Sequence, residues 1–257
     1  MKRPPGQDIW LSKVPSLRQP GRRLLALLIA VTVFAAALLF FWFFDPLFPG
    51  AALVSQALAA LVLWALLSQV IVRRRRLKQR YGHLAYERAV WRYGLTGLPL
   101  LPAIVSHFLF MPGERVLPLA WAALPAAYFF LSGALLFGRA VYTFGIDNLA
   151  LVYVYWPEEG RLVRSRIYSV LRHPTYSGVL RMALGLALLR GNAMALLTGL
   201  VMPLGLTIWL RVVEEPELIE RFGESYRDYR QQVPAFFVRP RDYASFWRFL
   251  VGADERE

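Results

Sequence analysis

The fold class predicted by the sequence is all-α: a polytopic integral membrane helical bundle with a C-terminal helical hairpin whose polar ends lie on the cytoplasmic side. Three observations carry the bundle. Hydrophobic residues make up 57% of the 257-residue chain, above the roughly 45–50% of an ordinary soluble domain. The excess falls in uninterrupted apolar blocks such as 24–44 and 51–72, which are long enough to cross a bilayer. Basic residues gather at the ends of alternate blocks, as the positive-inside rule predicts.

Residues 1–23 are polar, proline-containing and basic. They read as a cytoplasmic N-terminal arm with an interfacial piece around Ile9, Trp10 and Leu11. Block 24–44 is the first span, and Phe40, Phe41, Trp42, Phe43 and Phe44 crowd its far end as an aromatic belt would. Residues 45–50 hold two prolines and a glycine and form a tight turn. Block 51–72 is the second span, and it runs into Arg73-Arg74-Arg75-Arg76. Residues 73–94 are charged and aromatic, and are expected to be a partly helical connection near the headgroups. Block 95–111 is a third apolar segment of marginal length, kinked by Pro99 and Pro102. Block 116–144 is the fourth span, where Ser132, Gly133, Ala134 and Gly138 allow close helix approach. Residues 24–145 thus hold about four transmembrane helices and no assignable motif.

Residues 145–176 read as a polar loop with short strand character at 149–156. Two hairpin helices follow, 177–190 and 193–213, meeting at Gly191-Asn192. Leu218, Ile219 and Phe222 share one helical face, and Gly223 is placed to stop that helix. Residues 146–240 therefore form one C-terminal region around the hairpin, and 241–257 a C-terminal tail.

The formal charge of +13 follows from topology and needs no nucleic acid. With the N-terminus inside, every Lys and Arg except Arg115, Arg181 and Arg190 falls on the cytoplasmic side. Both termini are then cytoplasmic and the number of crossings is even. The chain has no cysteine, which excludes disulfides, thiolate metal sites and cysteine nucleophiles. Three histidines without cysteine make a metal centre an unfavoured reading. His107 reads as a hydrogen-bonded structural residue and His83 as a surface one. The arginine-rich, cysteine-free composition points to a bacterial inner membrane. No protein partner is expected.

Ionisable residues at both ends of an apolar hairpin mark the place where chemistry is expected, because charge near lipid is costly. One end carries Arg172-His173-Pro174-Thr175-Tyr176-Ser177-Gly178. Pro174 biases His173 toward an extended turn, and Ser177 or Thr175 is placed to cap the helix. The helix N-terminus attracts a carboxylate, and Gly178 permits close approach of a ligand or backbone. A ligand site and an interfacial basic cap fit these residues equally. The other end carries Arg211, Glu214 and Glu215, spaced so that Arg211 can pair with either carboxylate on a helical face. The second carboxylate is then available to a cationic ligand group. Arg181, a turn into the first hairpin helix, is expected to snorkel or to pair with a glutamate.

Tyr168, Arg172-His173-Pro174-x-Tyr176-x-Gly178, then Arg211-x-x-Glu214-Glu215-x-x-Leu218-x-x-x-Phe222-Gly223-x-x-Tyr226-x-x-Tyr229 resembles the C-terminal half of the isoprenylcysteine carboxyl methyltransferase and phospholipid methyltransferase group. The resemblance implies a membrane enzyme that moves a methyl group from S-adenosylmethionine to a lipophilic acceptor. It places Tyr168, Arg172, His173, Tyr176, Gly178, Glu214 and Glu215 around the cofactor. Arg211 and His173 become the catalytic candidates, and Arg211 and Arg181 the candidates for binding acceptor. Arg166 stands where the family often has glycine, which alters the path of the loop before Tyr168.

Two other readings compete. Membrane sterol and steroid reductases share an Arg-His-Pro-x-Tyr-x-Gly turn and use a nicotinamide cofactor, although they usually carry Asn where this chain has Thr175. A non-catalytic scaffold would leave the clustered charges unexplained. For a methyltransferase, the acceptor is expected to arrive sideways from the bilayer, between block 95–111, the Gly133 and Gly138 face of the fourth span, and the hairpin.

Overall fold

The computed structural model describes residues 5–252; Lys2 and Arg3 of the arm and the last five residues of the tail lie outside them. Its named elements are helical throughout. Four helices are long and apolar enough to cross a membrane: α2 (Pro20–Phe44), α3 (Ala51–Val72), α6 (Leu119–Phe144) and the rod Ala193–Phe222. Leu24, Leu27, Val31, Leu39, Trp42 and Phe43 of α2 are all more than half exposed. So much bare apolar surface on one helix is satisfied only by lipid. The protein is an integral membrane protein.

The chain opens with α1 (Gln7–Lys13) and a 3-10 turn at Pro15–Arg18 before α2. The basic connection after α3 forms α4 (Arg74–Tyr81), then short turns that lead through a π-helix at Val90–Gly94 to α5 (Leu100–His107). Block 95–111 is interrupted as its prolines require, with a break at Leu98 and Pro99. The hairpin is α7 (Pro174–Arg190) and α8 (Ala193–Trp209). A π-helix at Leu210–Glu214 joins α8 to α9 (Glu215–Phe222). α10 (Glu224–Gln232) and α11 (Tyr243–Val251) complete the described chain.

Three sequence expectations need correction. Residues 149–156 form no strand: Ile146–Leu149 and Val152–Tyr155 are helical turns. No neighbouring strand is present there to satisfy the backbone, which bonds locally instead. α7 begins at Pro174, so neither Ser177 nor Thr175 caps it. His173 is the flanking residue, and Pro174 takes the first helical position, where its missing N–H costs nothing. The expected tail includes α11, whose Phe246 and Leu250 are buried against Leu136 of α6 and Tyr168.

Contacts sort the connections onto two faces. On one, Asp45 accepts a hydrogen bond from the Ser55 hydroxyl at 2.6 Å and meets His107 Nε2 at 2.6 Å. His107 Nδ1 lies 2.7 Å from Gln56 Oε1, and its ring stacks on Phe41 at 3.8 Å. This buried chain ties the end of α2 to α3 and α5. The hairpin turn is pinned on the same face, where Arg190 Nε and Asn192 Nδ2 donate to the Met111 carbonyl at 2.9 and 2.8 Å. On the opposite face, Lys13 pairs with Glu159 at 2.6 Å, Arg74 with Glu220 at 2.6 Å, and the Ser16 N–H donates to Glu87 at 3.0 Å. That face gathers the arm, the basic connection, the turn at Glu159 and α9.

α6 and α7 touch at backbone level. A Cβ on Gly178 would sit 2.8 Å from the Gly133 carbonyl oxygen, and one on Gly185 would sit 2.8 Å from that of Ala126. Gly178 and Gly185 lie two turns apart on one stripe, as do Ala126 and Gly133, so small residues meet twice along the crossing. Gly133 is therefore packed shut and lines no gap. Gly138 has open space around it.

Candidate functional site

The base of the hairpin brings together residues far apart in sequence. α7 delivers Tyr176 from its first turn, with Arg172 and His173 just before it. The π-helix and α9 deliver Glu214 and Glu215. An irregular segment, 234–236, holds the α7 side in place: the Arg172 N–H donates to the Pro234 carbonyl at 2.9 Å and the His173 N–H to that of Ala235 at 3.1 Å. The Ser177 hydroxyl donates to the Phe236 carbonyl at 2.7 Å.

The two glutamates have different partners. Glu215 is buried, and its Oε1 accepts from Arg172 Nη2 at 3.0 Å. Arg230 Nε lies 3.4 Å from its Oε2, and the Tyr226 hydroxyl donates to Oε1 at 3.5 Å. Arg172 also donates to the carbonyls of Val233 and Arg230, locking α10 to the base of α7. Glu214 accepts from the Tyr176 hydroxyl through Oε2 at 2.6 Å. Its Oε1 lies 3.6 Å from His173 Nδ1, beyond an ordinary hydrogen bond.

Two polar atoms in this cluster are buried without a hydrogen-bond partner, His173 Nε2 and Arg172 Nε. His173 Nε2 stands 3.7 Å from Glu215 Oε1. Such orphans are uncommon in a folded interior and suit a site whose partner is a bound polar molecule. Tyr168 is buried beside Phe144, with ring centres 5.1 Å apart, and its carbonyl accepts from the Tyr229 hydroxyl at 2.6 Å. Burial raises the Tyr168 hydroxyl well above the usual tyrosine range, and Tyr229 and Glu214 nearby reinforce it. Burial likewise raises Tyr226 and Tyr229. All three remain neutral donors at physiological pH.

Arg172, His173, Tyr176, Glu214 and Glu215 thus form one contact network, with Tyr168 at its border. Gly178 gives its bare side to α6. Arg211 forms no ion pair with either glutamate and is exposed. The π-turn spoils the expected spacing of three and four residues, and the carboxylates already have Arg172 and Tyr176. Arg181 pairs with neither glutamate: it reaches the Ser132 hydroxyl at 3.4 Å and lies over the Phe246 ring at 5.1 Å. Arg230 and segment 234–236 went unforeseen. Arg230 is one of two arginines on a polar helix, and nothing in the sequence of the segment marks it as a backbone partner.

The phospholipid methyltransferase family profile matches residues 121–225, a stretch that contains α6, the hairpin and both glutamates. That match covers less than half of the chain, and over it the chain is similar to this family. It is similar to protein-S-isoprenylcysteine O-methyltransferase B of Arabidopsis thaliana, 26% identical over 143 residues, which cover 56% of this chain and 72% of that relative. It is also similar to protein-S-isoprenylcysteine O-methyltransferase of Schizosaccharomyces pombe, 38% identical over 79 residues. That match covers 29% of this chain and 31% of the yeast protein. No solved structure matches.

Proposed function

We propose that this protein transfers a methyl group from S-adenosylmethionine to a lipophilic or membrane-associated acceptor. The observation that carries the proposal is the junction of Arg172, His173, Tyr176, Glu214 and Glu215 at the hairpin base, with buried polar atoms left unpartnered. The cofactor supplies an activated methyl group on a sulfonium, so the protein's task is to bind, align and desolvate.

Glu214 is the better placed carboxylate for a cationic group. Tyr176 orients it, and Oε1 retains acceptor capacity. Glu215 is saturated by Arg172, Arg230 and Tyr226 and acts as the anchor that holds the site's walls together. The orphaned Arg172 Nε and His173 Nε2 suit an anionic or polar part of the same ligand. Tyr168 and Tyr176 offer aromatic surface to an adenine ring. A carboxylate acceptor needs no general base. An amine or thiol acceptor must lose a proton, and His173 is the nearest group able to take it. Arg211, exposed and without an ion pair among the described residues, is positioned to meet an acidic acceptor at the rim. Arg181 reaches α6 and α11 instead, so its contribution to acceptor binding would act from the lipid side.

Titration of S-adenosylmethionine and of NADPH against the detergent-purified protein tests this reading. Saturable binding of the first and none of the second is expected. Saturable binding of NADPH alone would assign the site to a nicotinamide-dependent reductase and overturn the proposal.

A further inference from the structure

A cavity of about 710 Å³ lies under the N-terminal arm, within the range of roughly 300–1,000 Å³ common for ligand sites. Its walls are apolar: Trp10 and Leu11 of α1, Leu17 of the 3-10 turn, Ala26 of α2 and Leu95. Arg18 and Arg23 also line it. Arg18 is exposed and forms no ion pair among the described residues. Arg23 uses its Nε on the Leu17 carbonyl, which leaves both terminal nitrogens to another partner. Asp8, the acidic residue in the lining, is already engaged.

The height of the cavity narrows the choice of occupant. Arg23 and Ala26 stand in the first two turns of α2, among Leu24, Leu27 and Leu28, which are 58%, 59% and 53% exposed and face lipid. The cavity therefore sits where headgroups give way to acyl chains. An apolar chamber with two uncommitted guanidinium groups at that level matches an amphiphile with an anionic head. We propose that it holds one acyl chain of an anionic phospholipid, with the phosphate between Arg18 and Arg23. The arm bridges to Glu159 through Lys13 and to Glu87 through the Ser16 N–H. A lipid in the cavity would fasten the arm to α2 beneath both bridges.

Trp10 is a built-in reporter. The full-length protein is reconstituted in phosphatidylcholine vesicles doped with acyl-brominated phosphatidylglycerol or acyl-brominated phosphatidylcholine. Trp10 quenching is read as the difference between wild type and Trp10→Phe. Brominated phosphatidylglycerol is expected to quench at roughly thirtyfold lower mole fraction, the scale of two arginines meeting an anionic lipid at about 1 kcal/mol each. Arg18→Gln, which alters a surface residue, should reduce that preference severalfold, and Arg18→Gln with Arg23→Gln should remove it. Ala26→Phe, which fills the cavity, should abolish the quenching by both lipids. Equal quenching of the wild type by the two lipids overturns the proposal, as does a preference that survives the double variant. Undiminished quenching in Ala26→Phe would place the chain outside the cavity and overturn it equally.

Discussion

Glu214 and Glu215 are adjacent in sequence and differ in every contact. Glu215 is 3% exposed and forms a buried ion pair with Arg172. Removing its charge leaves Arg172 and Arg230 facing a neutral amide. Breaking one partner of a buried pair costs about 3–5 kcal/mol, so Glu215→Gln is expected to lower the thermal unfolding temperature markedly. Glu214→Gln retains the Tyr176 contact in neutral form and should leave unfolding almost unchanged. Its expected effect is on S-adenosylmethionine affinity, weaker by about 1–3 kcal/mol, the range for one charge-assisted hydrogen bond. Unfolding curves and binding isotherms on both variants check the division. Equal losses of affinity with equal stability would show that the two carboxylates share one role. The sequence made the pair visible, because two carboxylates at the end of an apolar block demand explanation. It did not reveal which glutamate Arg172 takes, because that depends on the register of the π-turn and on the return of Arg230 from α10.

At the scale of elements, long apolar runs were the legible part, and their bounds agree closely with the helices. Ala51–Val72 coincides with its predicted block. The parts that were not legible rest on tertiary contact. Residues 149–156 read as strand from their apolar and aromatic run, and became helical turns with Tyr153 and Tyr155 enclosed. The small residues of α6 promised either a gap or a tight crossing, and the structure resolves them individually. A Cβ at Gly133 would lie 2.7 Å from the Gly178 carbonyl oxygen, whereas one at Gly138 meets nothing within 4 Å. Gly133→Leu should therefore destabilise by overpacking, about 1–3 kcal/mol or more. Gly138→Leu should stay within about 0.5 kcal/mol of wild type, as exposed substitutions do. Denaturation in detergent distinguishes them. A Gly133→Leu protein as stable as the parent would show that α6 and α7 stand apart, restoring the sideways access for acceptor through that face.

At the scale of the whole molecule, contacts and charge agree on two faces. The face of Asp45, His107, Met111 and Asn192 carries Arg115 and Arg190, and both spend their guanidinium groups on carbonyls of the turns there. Nearly all the other Lys and Arg residues lie toward the face where Lys13 meets Glu159 and Arg74 meets Glu220. α2 leaves the basic face and α3 returns to it. The hairpin repeats the excursion, leaving at Arg172 and coming back at Glu214. The described chain thus begins on the basic face, and the candidate site opens there. Lys and Arg bias sets orientation in membranes, so that face is expected to be cytoplasmic, where a water-soluble methyl donor is available. Reporter fusions at residue 48 and at residue 257 test the orientation. An external signal at the first and an internal one at the second are expected. An internal signal at residue 48 would invert the molecule and turn the glutamate cluster away from the cytoplasm, and an external signal at residue 257 would break the even number of crossings.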